Sequence, residues 1–181
     1  MRVIIAGIVG GIAMYVWASI AHLSPLAQIG IHTLPNESFV AGVLRNDLAE
    51  RGGVYIYPSP MGDSKANHAP TTTAGLLVYN SHSSGALEPK QLGIEFALEV
   101  VESLLMAVIA AQVAGGFGAR VRVAVLVGLI AGMATNFSYW NWWSFGLDYT
   151  LATAFIEAMK FVVAGLVIAA ILRRRVAGAS A

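Results

Sequence analysis

Residues 93–114 read GIEFALEVVESLLMAVIAAQVA, a run long enough to cross a bilayer yet interrupted by Glu95, Glu99 and Glu102. How this stretch is read decides the fold. At 100° per residue the three carboxylates fall within an arc of about 60°, so one face is acidic and the rest is apolar. An ionised carboxylate facing lipid costs several kcal/mol, so a spanning helix here must turn that face toward other helices, water or a partner. Glu88 lies on the same line just outside the run.

Working outward, three further runs approach the ~20 apolar residues needed to cross ~30 Å of hydrocarbon. They are residues 3–23, 122–144 and 148–172. Composition agrees: the chain has 181 residues, 57% hydrophobic and 12% charged, and its mean hydropathy is +0.69. The sequence therefore predicts an all-α membrane protein, a bundle of four transmembrane helices that forms a single domain over 1–181. Residues 24–91 predict a small α/β extracytoplasmic cap between the first two spans. Ser19-Ile20-Ala21 also fits a signal-peptide cleavage site that would free His22 as a new N-terminus, but the single n-region arginine and the long apolar run favour a retained span.

Arginine placement predicts the orientation. Arg2, Arg120, Arg122, Arg173, Arg174 and Arg175 fall at ends that four spans put on one side, with no acid among them. By the positive-inside rule that side is cytoplasmic, and both termini lie there. Tyr139, Trp140, Trp142, Trp143 and Tyr149 gather at the opposite interface, where amphipathic rings settle.

Within the cap, Asn36 and Glu37 read as a helix N-cap and an acidic first turn. Phe39, Val40, Val43, Leu44 and Leu48 follow at helical spacing, and Gly52-Gly53 reads as the stop. Val54-Tyr55-Ile56-Tyr57 and Leu76-Leu77-Val78-Tyr79 predict two strands that pair over the bundle mouth.

The other spans carry matching polar faces: Tyr15, Ser19 and His22; Asn136, Tyr139 and Trp143; Thr150, Thr153, Glu157 and Lys160. Counted inward at 1.5 Å per residue, Glu102 and Glu157 share a depth of about 14 Å, with Asn136 slightly shallower and Lys160 deeper. The opposite half is built from small residues, with Gly7-xxx-Gly11, Gly128-xxx-Gly132 and alanines on the second and fourth spans. A tight half below a polar half predicts a vestibule open to the outside, not a continuous pore.

Glu95, Glu99, Glu102 and Glu157 with Lys160, Asn136 and Tyr139 are thus the candidate site for a proton, a metal ion or a small cationic ligand. Clustered carboxylates need positive charge, and Lys160 neutralises one of them. The bland alternative is a hydrogen-bonded network that only holds helices together. A divalent metal ion held by His22, Glu95 and Glu99 is the sharper one, since imidazole plus carboxylate suits transition metals. The Glu-x-x-His pairs of di-iron bundles are absent. With no cysteine, thiolate catalysis, disulfides and Cys-based zinc sites are excluded. A net charge of +1 and no basic stripe argue against nucleic acid. His68 and His82 read as solvent-facing. Expected partners are the lipid bilayer and a further membrane protein or a second copy. An accessory or assembly subunit of a larger membrane complex is the second reading, and a metal-dependent membrane enzyme the third.

Thr33-Leu34-Pro35-Asn36-Glu37, Gly53-Val54-Tyr55-Ile56-Tyr57-Pro58 and Ser138-Tyr139-Trp140-Asn141-Trp142 resemble stretches of a group of uncharacterised bacterial inner-membrane proteins of four spans. The resemblance implies a bacterial cytoplasmic membrane and supplies no activity or site residues.

Overall fold

A computed structural model describes residues 1–58, 73–82 and 88–173. The chain runs through α1 (Arg2–Leu23), a 3-10 turn (Pro25–Gln28), α2 (Glu37–Leu48), β1 (Gly53–Tyr57), β2 (Gly75–Tyr79), α3 (Pro89–Gln112), α4 (Phe117–Trp143) and α5 (Leu147–Leu172). Three helices, α1, α4 and α5, are long and apolar enough to cross a membrane. α3 is comparable in length, 24 residues, but carries Glu95, Glu99 and Glu102.

The ends of the elements differ from the sequence reading for local reasons. α3 begins at Pro89, four positions before 93 counted along the chain, because proline suits the first helical turn, where its missing N–H costs nothing. α4 begins at Phe117, after Gly116, so Arg120 and Arg122 sit in its first two turns and not in a loop. Asn36 caps α2 with a left-handed backbone (φ 58°) and without a side-chain hydrogen bond. α2 stops at Leu48, with Ala49 at φ 49°, before the expected Gly52-Gly53 stop is reached. None of the residues of α2 is buried, and Phe39 is 71% exposed. The two strands pair antiparallel, Val54 opposite Val78 and Ile56 opposite Leu76. Their apolar side chains stand opposite Tyr139, Trp143 and Phe145 across a cavity of about 360 Å³.

α5 lies at the centre, with α1 and α4 packed along it and α3 packed along α1. Helix directions follow from paired close approaches. A Cβ on Gly11 would stand 2.6 Å from the Val100 Cα, and one on Gly7 2.8 Å from the Leu104 Cα, so α1 and α3 are antiparallel. Gly132 lies against the carbonyl of Ala154 and Gly128 against that of Ala158, so α4 and α5 are antiparallel. Gly10 meets Ile168 while Trp17 Nε1 donates to the Ile156 carbonyl at 3.1 Å, so α1 and α5 are antiparallel too. The two Gly-xxx-Gly patterns are therefore the surfaces on which backbones touch, the arrangement that lets helices associate without a hydrophobic driving force.

α3 and α4 barely touch, which leaves the ring of helices open between them. At the arginine end they are joined where Arg120 Nε donates to the Ala110 carbonyl at 3.0 Å. Ala6, Met14, Met106, Ala107, Ala110, Ala124, Phe161, Ala164 and Ile168 form the core of that half. In the cleft left between them, Glu99 and Glu102 of α3 meet Lys160 of α5.

Candidate functional site

Lys160 is the hub of the cleft. Its Nζ lies 3.3 Å from Glu157 Oε1, one turn earlier on α5. Across the interface it lies 3.5 Å from Glu99 Oε1 and 3.5 Å from Glu102 Oε2. The helix repeat explains the convergence: Glu99 and Glu102 are three apart on α3, as are Glu157 and Lys160 on α5, so each pair shares a face. Gly7 and Gly11 draw α3 against α1, and this brings its acidic face within reach of α5.

Burial grades the acids. The Glu99 side chain is 1% exposed and that of Lys160 8%. The side chains of Glu102 and Glu157 are 38% and 30% exposed. Below them the cleft is closed. A Cβ on Gly165 would collide with the Ala124 Cβ and touch the Met106 Cε, so three helices meet there without space for a side chain. The cluster is therefore backed on its arginine side by closely packed helices.

Charge and hydrogen bonding are both incomplete. One ammonium faces three carboxylates, so the ionised cluster has a surplus of two negative charges. Glu99 Oε2 and Ser103 Oγ are buried without a hydrogen-bond partner among the described residues, and Glu99 Oε1 and Glu102 Oε2 have the Lys160 ammonium at 3.5 Å but no hydrogen bond. A buried acceptor without a donor loses its hydration without replacement, at a cost of about 1–3 kcal/mol or more for a charged group. Ser103 Oγ lies one turn below Glu99, in the place a Gly10 side chain would need.

The remaining residues singled out in the sequence stand apart. Asn136 Nδ2 donates to the Gly132 carbonyl of its own helix at 2.9 Å, so its amide is held away from the acids. Tyr139 stacks on Phe145, ring centroids 5.5 Å apart, because left-handed Ser144 (φ 56°) turns the chain back beside the end of α4. Glu95 is exposed, one turn outside Glu99. His22 is exposed, with Nδ1 2.8 Å from the Ala18 carbonyl of its own helix. The metal set expected from His22, Glu95 and Glu99 is thus not assembled. Among the described residues no group of three His, Asp or Glu side chains is arranged to hold a metal ion. His82 is exposed, and His68 lies outside the described residues. Thr150 and Thr153 donate their hydroxyls to the carbonyls of Gly146, just before α5, and of Tyr149 in its first turn.

Trp17 is the residue that sequence reading missed. Its indole ties α1 to α5 one turn from the cluster, and the only available signal was an indole among apolar residues, which needs a buried acceptor. Comparison with known proteins finds no family model, no curated protein and no solved structure that matches the chain.

Proposed function

We propose that this is an integral membrane protein of four spans whose Glu99–Glu102–Glu157–Lys160 cluster takes up a proton or a small cation from the side opposite the arginines. The observation that carries this reading is the set of three carboxylates around a single buried ammonium. The surplus charge has to be neutralised in low-dielectric surroundings, and a proton or cation reaching the exposed edges of Glu102 and Glu157 does so. The seal at Met106, Ala124 and Gly165 supports a terminal site over a pore.

Four spans rest on helix direction. α1 and α4 both run antiparallel to α5, so they run parallel to each other. A chain that crosses in α1 and crosses again in the same sense in α4 must return between them, and α3 is the helix of sufficient length there. The arginines at Arg2, Arg120, Arg122 and Arg173 favour a cytoplasmic assignment for their side. The resemblance to four-span bacterial proteins favours the inner membrane.

The test uses Glu99→Gln/Glu102→Gln in lipid nanodiscs. Infrared difference spectra across a pH titration read carboxyl protonation, and calorimetry with sodium, potassium and tetramethylammonium reads cation binding. The parent should show a carboxyl signal or cation binding that the double variant lacks. Identical behaviour of the two proteins would leave the carboxylates as structural glue and end the proposal.

A second reading, an accessory subunit in a larger membrane complex, is favoured by the same opening. A partner helix laid between α3 and α4 would cover Glu102 and Glu157 and the exposed apolar side of α4, where Ile130 is 67% exposed. Stoichiometric co-purification of another membrane protein in mild detergent would favour it, and a solitary particle would count against it.

A further inference from the structure

At the arginine end a second cavity of about 770 Å³ opens between the ends of α3, α4 and α5. Its wall is formed by the 111–117 connection together with Arg120 and Arg173. Arg120 is held in place by its Nε bond to the Ala110 carbonyl, and no other hydrogen bond or ion pair engages its guanidinium among the described residues. No Asp or Glu occurs in residues 1–36, 103–147 or 158–181, and neither arginine makes an ion pair with another described residue. Two arginines without an acidic partner among the described residues, lining one concave space of this size, call for an anion. Phosphate is the group that their fork of donors fits. The first backbone N–H groups of α4, which begin at Phe117 on the same wall, have no partners within the helix and add donors.

We propose that this cavity binds a phosphate group, and that an anionic phospholipid headgroup supplies it. The position favours lipid, since basic pockets between spans at the membrane boundary recognise such headgroups. Arg122 provides the internal control: it is exposed in the first turns of α4 but does not line the cavity.

Native mass spectrometry of the full chain, delipidated and then titrated with phosphatidylglycerol, phosphatidylcholine or inorganic phosphate, separates the outcomes. Phosphatidylglycerol should be retained, and Arg120→Gln/Arg173→Gln should weaken it by about tenfold or more, the loss expected when charge-assisted bonds to phosphate are removed. Arg122→Gln should leave retention unchanged. Because Arg120 also ties the α3–α4 connection, Arg173→Gln alone, at an exposed helix end, must give part of the loss with the melting temperature unchanged. Retention of inorganic phosphate with loss of the lipid preference would keep the phosphate site and assign it to a soluble anion. Equal losses in Arg122→Gln, or full retention in the double variant, would reduce the site to general surface charge and overturn it.

Discussion

Lys160 carries unequal obligations to its three partners. Glu102 and Glu157 keep about a third of their side-chain surface exposed, whereas Glu99 has lost almost all of its own. Removing the ammonium therefore harms Glu99 most, because a buried charge stripped of its partner costs about 3–5 kcal/mol. Lys160→Met should lower the melting temperature in nanodiscs sharply, and Glu99→Gln in the same chain should recover part of the loss. A double-mutant cycle should return a coupling of about 0.5–3 kcal/mol between the two positions, and additive effects would show that Glu99 does not depend on Lys160. Helical spacing made the shared faces of Glu99 with Glu102 and of Glu157 with Lys160 legible in the sequence. It could not place Asn136 or Tyr139, because each is captured locally, one by the Gly132 carbonyl and the other by the Phe145 ring. His22 is another such case, turned back onto Ala18. Spacing gives the face of a helix, but it does not give the competition between a distant partner and a backbone acceptor one turn away.

The helices are joined by contact between backbones. Gly132 admits no Cβ, since one would stand 2.6 Å from the Ala154 carbonyl oxygen. Gly132→Val should thus part α4 from α5 and cost about 1–3 kcal/mol, the usual range for overpacking. Gly42 is the contrasting case: it lies in the interior of α2 with nothing within 4 Å of its Cβ position. Gly42→Ala should stabilise α2 by about 0.5–1 kcal/mol, visible as slower hydrogen exchange of α2 amides with no change elsewhere. If Gly132→Val melts like the parent, close backbone approach is not what joins these helices. Both glycine pairs on α1 and α4 were legible from their four-residue repeat in nonpolar runs. The exposure of α2 was not, because its Phe39, Val43 and Leu48 stripe reads as a buried face, whereas in the structure none of its residues is buried. The sequence reads α3 as a fourth span, but among the described residues only α1, α4 and α5 are apolar enough by length and composition. Its acids lower its apolar character, and the compensating lysine lies 58 positions after Glu102 on another helix, by the sequence numbering.

For the whole molecule the decisive question is whether α3 crosses. If it does not, residues 24–116 remain on one side, α4 returns across the bilayer and α5 leaves again, which makes α1 and α4 antiparallel. The packing has them parallel, since α1 and α4 each oppose α5. Crossing by α3 removes the conflict, and the antiparallel contacts of Gly7 and Gly11 with Leu104 and Val100 then join neighbouring spans. Crossing would also give the one fully buried acid of α3 its partner, since Glu99 meets Lys160 inside the assembly. Because the chain has no cysteine, single-cysteine labelling can decide between the two topologies without background. Asn46, exposed on α2, and Gly118, exposed at the start of α4, lie on either side of α3 in the sequence. In sealed vesicles of known orientation, a membrane-impermeant maleimide should modify Asn46→Cys and Gly118→Cys from opposite faces. Modification of both from the same face would mean that α3 lies on the membrane and does not pass through it. The cleft would then open to a surface, and the reading of its carboxylates as an intramembrane cation site would fall with it.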